Sequence, residues 1–292
     1  MIGELFALLA ALAFALSTVL AHWFMTAHNP VRPEAGVLVS MTTNVAVFGA
    51  LLLLELTRGL PPLTPLSLLF FLLGGLWSTM VGRNLSYLSV LHIGPARSTA
   101  IRLSNTLFAA LIGLVGLGEL PRPIQLGGAF LITAGLWLVI SERSPAGRGR
   151  PDPRGVLAAL GAAVAFALGD TCRRAGLRIT PAPFLGATLG AAMALVAQLG
   201  WFAARRLQGG GVRIVWRGDV LGSALTNTAA ILLLFLALQR TTVANAAVLY
   251  NLQVLFVILL SRWMLPEPEP ASAPLVAGSL LCTAGTAGVL FG

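Results

Sequence analysis

The sequence predicts an all-α polytopic membrane protein with ten transmembrane helices arranged as two inverted five-helix repeats. Three observations carry that prediction. The 292 residues are 57% hydrophobic and only 10% charged, with a mean hydropathy of +0.88, whereas a soluble domain is about 25% charged. The apolar residues fall into ten runs, most of them near the ~20 residues needed to cross a ~30 Å hydrocarbon core. The second half of the chain also repeats the first.

The runs can be justified in order. The first, 3–24, opens on Glu4 without the basic start of a signal peptide. The second is 35–56. The third, 66–91, carries Trp77, Thr79, Arg83 and Tyr87, and the fourth, 96–117, carries Arg102 and Asn105. The fifth, 124–141, holds Gly128 and Gly135 seven residues apart. The stretch from Ser141 to Gly155 is rich in Pro, Gly and Arg and reads as a linker. It divides a first repeat (1–143) from a second (155–292), with 144–154 between them. The sixth run, 155–176, restarts the pattern: residues 155–168 match residues 3–16 at ten of fourteen positions without a gap. The seventh, 182–204, has the small-residue spacing Gly186/Gly190 of close helix packing. The eighth, 219–239, carries Asn227, and the ninth, 243–265, carries Tyr250, Asn251 and Gln253. The tenth, 272–291, holds Gly278 and Gly285, which fall on Gly128 and Gly135 at an offset of 150. Residues 87–108 lie over 235–256 at an offset of 148, and Glu119 over Glu267. Five helices per half is an odd number, so the second half crosses the membrane in the opposite sense.

The net charge is +9 and all 19 basic residues are arginine, but they are scattered singly and through short loops rather than gathered on a soluble face. That argues against nucleic acid. Cys172 and Cys282 lie in apolar runs without metal-ligand spacing, and His22, His28 and His92 are dispersed. With no phosphate-binding glycine loop or nucleophile elbow, the reading is a protein without enzymatic activity, metal or cofactor. Its partners are a small-molecule substrate and membrane lipids. It is read as a monomer, with a dimer as the alternative.

The small-residue first helix of each half, the LGEL ending of helix four with Glu267 as its counterpart, and the glycine-patterned fifth helices resemble the ten-helix EamA-type members of the drug/metabolite transporter superfamily. The resemblance covers nearly the whole chain. It implies a bacterial inner-membrane carrier of small metabolites, such as an amino-acid exporter, working by alternating access. Family members commonly place a proline inside helix four or nine. Here Thr106 and Val254 stand in that region, which leaves a helix break there open.

Intramembrane polar residues mark the site, because in hydrocarbon they must face a cavity or a partner. Arg83 precedes the turn near Ile93 to Pro95 and Arg102 follows it. At 1.5 Å per residue both lie ~12–16 Å deep, side by side on antiparallel helices. Helical spacing adds Asn105 to Arg102, and Thr79 and Tyr87 to Arg83. Across the repeat Arg102 and Asn105 map onto Tyr250 and Gln253, Thr79 onto Asn227, and Thr18 onto Asp170. Trp77 offers a stacking surface, while Trp23, Trp201, Trp216 and Trp263 near helix ends form an interfacial belt. Two arginines in a low-dielectric site favour an anionic or zwitterionic ligand. Structural roles for the arginines, a non-transporting sensor or assembly partner, and a flippase for a lipid-linked substrate are the competing readings.

Asp170 is the acid placed for gating or coupling, with Thr18 opposite it. Arginine neighbours would hold Asp170 ionised rather than let it carry protons. Two arguments on orientation collide. Loops opposite the termini hold eleven arginines and the terminal side six, so the positive-inside rule places the termini outside. The resemblance places them in the cytoplasm, and that reading is preferred.

Overall fold

The computed structural model describes residues 2–57, 59, 62–117, 122–141, 151–207, 214–238, 240–241, 243–266 and 272–291. Most of the linker and the matched acids Glu119 and Glu267 lie outside that set. All regular structure among the described residues is helical, in α1 (Ile2–Thr26), α2 (Pro33–Leu56), α3 (Pro65–Gly74), a π-helical segment (Gly75–Gly82), α4 (Arg83–Ile93), α5 (Pro95–Arg102), α6 (Asn105–Leu117), α7 (Pro123–Ser141), α8 (Pro153–Ile179), α9 (Pro183–Leu207), α10 (Gly218–Leu238), α11 (Val243–Asn251), α12 (Gln253–Met264) and α13 (Ala273–Phe291). Six of these helices begin on a proline, whose fixed φ suits the first helical turn and whose missing N–H would have no partner there anyway.

Ten spans result. Eight are long, apolar helical stretches, the third being α3, the π segment and α4 run together as Pro65–Ile93. The fourth span is broken between α5 and α6, and the ninth between α11 and α12. No proline makes these breaks, and they answer the question that Thr106 and Val254 left open. Both are tightened turns at equivalent repeat positions. Ser104 N–H donates to the Ile101 carbonyl at 3.1 Å, and Leu252, 148 residues on, donates to the Leu249 carbonyl at 3.2 Å. Each is an i→i−3 bond where an α-helix would have i→i−4.

The packing follows the repeat. Span one (α1) lies against span eight (α10) and span nine (α11, α12), and its mate, span six (α8), lies against span three and span four (α5, α6). Spans two and seven (α2, α9) pack on each other, as do spans five and ten (α7, α13). A pseudo-two-fold axis relating the halves produces each of these pairs. Helices α1 and α8 can be approached closely because their faces are built of alanine, including the fully buried Ala7, Ala10, Ala11, Ala159, Ala162 and Ala163. In the α7/α13 pair a Cβ on Gly135 would stand 2.5 Å from the Gly278 carbonyl oxygen, and one on Gly128 2.6 Å from that of Gly285. The repeated glycine pairs therefore face each other across an antiparallel crossing.

Gly94 joins spans three and four. Its φ of 85° lies in the region that penalises a side chain, and Pro95 starts the next helix at once. This single-residue reversal sets α4 and α5 side by side and brings Arg83 and Arg102 to similar depth.

Candidate functional site

Arg83 and Arg102 line one narrow cleft, together with Phe14, Ser17, Thr18 and Ala21 of α1, Ser86, Tyr87 and Val90 of α4, and Phe166 of α8. Its free core is about 10 Å³, room for roughly one water. Both arginines are buried, at 7% and 8% exposure. Among the described residues no carboxylate pairs with either, and neither Nε has a hydrogen-bond partner. Arg83 Nη1 donates to Asn227 Oδ1 at 2.6 Å, and Arg102 Nη2 to Thr99 Oγ1 at 3.1 Å. What else steadies Arg102 is aromatic: its guanidinium carbon lies 5.7 Å from the Phe14 ring centroid and 5.9 Å from that of Phe166. These rings occupy matching positions in the first helix of each half, so the repeat axis passes close to the arginine. A cation over an aromatic face gains ~0.5–2 kcal/mol, more when desolvated.

The other expected site residues divide into groups. Tyr87 is buried in the cleft, its hydroxyl 3.5 Å from Ser223 Oγ and its ring edge-on to Phe24. Thr18 is buried there too, its hydroxyl donating to its own helix at the Phe14 carbonyl. Asn227 is fully buried as the partner of Arg83. Tyr250, on α11, sits edge-on to Phe14 at 5.6 Å and does not itself line the arginine cleft. Asn105 and Gln253 begin the helices after the two breaks; Asn105 Oδ1 accepts from Thr106 at 3.4 Å, and the Oε1 of buried Gln253 has no partner. Neither lines the arginine cleft.

Thr79, Trp77 and Asp170 lie elsewhere. Thr79 opens onto a neighbouring cleft with Arg173 and Asn44, and Trp77 is 38% exposed and lines neither cleft. Both sit in the π-helical segment, whose wider turn breaks the 3.6-residue spacing on which the grouping of Thr79 with Arg83 relied. Asp170 pairs with Arg173 at 3.2 Å, and Arg173 also donates to Ser78 Oγ at 2.6 Å.

Sequence reasoning missed Phe166 and the polar stripe of α10. Ser223 and Ser17 exchange hydroxyl-to-carbonyl bonds, each 2.8 Å, and Thr228 donates to Asn44 Oδ1 at 2.6 Å. With Asn227, these residues fasten span eight to spans one, two and three. Phe166 was legible as the repeat mate of Phe14. The serines and threonines were not, because such residues also bond their own helix and carry little signal.

Ten spans in two inverted halves, two of them broken beside a polar cleft near the repeat axis, define a polytopic membrane transporter. The chain belongs to the EamA-like transporter family, whose model matches residues 1–141 and 153–291, one copy per half. A solved crystal structure superposes with a TM-score of 0.60 at 18% identity, over 99% of this chain and 97% of that one, a likeness in fold alone. No match was found among curated proteins.

Proposed function

We propose that the protein carries a small anionic or zwitterionic metabolite, such as an amino acid, across the bacterial inner membrane by alternating access. Arg83 and Arg102 hold the ligand's carboxylate. One observation supports this above the rest: two buried guanidinium groups share a cleft lined by no acid, each with an unused N–H. A charge at such depth costs ~2.5–3.5 kcal/mol or more, and a carboxylate is the partner whose planar geometry meets the guanidinium fork. Phe14, Phe166, Tyr87 and Tyr250 give the ligand's apolar part an aromatic surround. A purely structural role accounts for the Arg83–Asn227 bond but leaves the free N–H of Arg102 without a purpose.

Alternating access draws on the two broken spans. Arg102, in the cleft, ends α5, and Tyr250, packed on the cleft-lining Phe14, is the next-to-last residue of α11, so each break lies close to the cleft and lets half a span tilt without dragging the rest. The test is binding and counterflow with purified protein, screened against amino and organic acids by thermal shift. Arg102→Lys weakens both, and Arg102→Ala nearly abolishes both. Normal counterflow in a well-folded Arg102→Ala protein overturns the assignment. For orientation we place the termini in the cytoplasm. A cysteine at His28, exposed between α1 and α2, then reacts with an impermeant reagent on intact cells, and protection reverses the placement.

A further inference from the structure

A second cleft occupies the terminal half of the molecule, between α2, α8, α9, α10 and the π-helical segment. Its lining reaches toward the side that carries the termini: Phe235 lies three residues before the end of α10, and Gly186 three after the start of α9. The arginine cleft runs the other way, with Val90 three residues from the far end of α4. The two are in line. Along the third span, Thr79 lines the second cleft and Arg83, four residues on, lines the first. On α10, Asn227 bonds Arg83 and Ile231, four residues on, lines the second cleft. The Arg83–Asn227 hydrogen bond therefore stands between the clefts as a partition about one helical turn, ~5 Å, thick.

The second cleft also carries a cation. Arg173 faces it, held by Ser78 and balanced by Asp170, whose side chain is 44% exposed. Asp170 holds Arg173 through one contact, Nη1 to Oδ1 at 3.2 Å, so an incoming carboxylate can compete for the planar guanidinium fork. The free space there, about 40 Å³, exceeds that of the arginine cleft.

We propose that the terminal-side cleft is a second carboxylate station on the transport path, with Arg173 as its cation, and that Arg83–Asn227 is the partition the ligand itself opens. This rests on the reading of Arg83 and Arg102 as the carboxylate site. A carboxylate reaching Arg83 replaces the Asn227 amide oxygen on Nη1 and so releases α4 from α10. The anion then passes toward the terminal side into the second cleft, to Arg173 on α8, where it displaces Asp170. Each arginine gives up one acceptor as it takes the next, and no guanidinium is left bare in between.

Charged methanethiosulfonate reagents test the proposal without a known ligand. The full chain, with Cys172→Ser and the buried Cys282 retained, is reconstituted in liposomes and probed from the terminal side. Ala187→Cys and Ile231→Cys, two separate sites in the second cleft, should both react. Normalised to a free thiol, the anionic reagent should be about tenfold faster than the cationic one, because Arg173 is the charged residue that lines the cleft and Asp170 is outside the lining, and Arg173→Gln should erase the preference. Ser86→Cys, in the arginine cleft, should be protected from that side and become reactive in Asn227→Ala or, if that variant folds poorly, Asn227→Ser. Equal rates for the two reagents, a preference that survives Arg173→Gln, no reaction at either second-cleft site, or Ser86→Cys labelling indifferent to residue 227 overturns the proposal. The Arg102→Ala binding result reports on the carboxylate site separately, so the two readings fail apart.

Discussion

Replacing Arg102 with methionine separates a ligand-binding arginine from a structural one. The terms in the folded protein nearly balance. Placing the charge in the span costs about 3 kcal/mol on insertion scales. Against that stand two aromatic contacts, with Phe14 and Phe166, at about 1 kcal/mol each, and one hydrogen bond to Thr99 at about 1–1.5 kcal/mol. Methionine fills similar volume without charge, so Arg102→Met should leave stability within about 1 kcal/mol of the parent, and exchanging buried ions for apolar residues is often neutral or stabilising. Ligand binding should behave differently. Truncating one partner of a buried, hydrogen-bonded charge pair costs about 2–5 kcal/mol, which is roughly 30- to 3,000-fold in affinity. The assays are unfolding in detergent and equilibrium binding of whichever carboxylate the thermal-shift screen returns. A stability loss above about 3 kcal/mol with affinity unchanged would refute the reasoning, because the arginine would then be a strut and not a ligand.

Gly135→Ala should destabilise by about 1–3 kcal/mol through overpacking, since its Cβ would meet the Gly278 carbonyl at 2.5 Å. Gly127→Ala, with nothing within 4 Å, should be neutral or gain up to about 1 kcal/mol of helix propensity; equal effects in a melting comparison would dismiss the glycine crossing. At the far side Asp152 caps α8 through the Arg154 N–H and bonds His92 Nδ1 at 2.9 Å. The Arg154 backbone bond, and after it His92, holds its carboxyl below the usual carboxylate value of 3.8. A lowered folded-state pKa means its contribution is present above about pH 4 and lost as pH falls through the lower folded value. The stability difference between the parent and Asp152→Asn should thus shrink between pH 5 and pH 3, and a difference constant with pH would exclude this role. Because Asp170 is bound to Arg173, an imposed pH gradient should leave substrate accumulation in proteoliposomes unchanged. Accumulation that follows the gradient and vanishes in Asp170→Asn, with counterflow intact, would make Asp170 the proton site.

Much of this molecule is legible in one dimension because a bilayer imposes one-dimensional rules. A span must be ~20 residues, mostly apolar, with its backbone bonds satisfied within the helix, so the apolar run lengths located the spans to within a few residues. The repeat was readable because glycine and alanine are demanded wherever helices touch, as at Gly128 and Gly285 or along α1 and α8. That Arg83, Arg102, Tyr87 and Thr18 share one cleft could be anticipated for the arginine pair and Tyr87, since a polar group in hydrocarbon needs a partner or a cavity and a shared hairpin at Gly94 fixes depth. What the sequence could not carry is rotation about each helix axis and the identity of partners on distant spans. The π-helical segment turned Thr79 out of the arginine group, a shift of register that no periodicity at 3.6 anticipates. The breaks at Ser104 and Leu252 arise without proline, and Phe166 meets Arg102 only because the two halves fold around one axis. Asn227 was expected as the repeat mate of Thr79, yet it acts as the acceptor for Arg83. Pairings of that kind are fixed by which helices touch, and three-dimensional packing alone decides that.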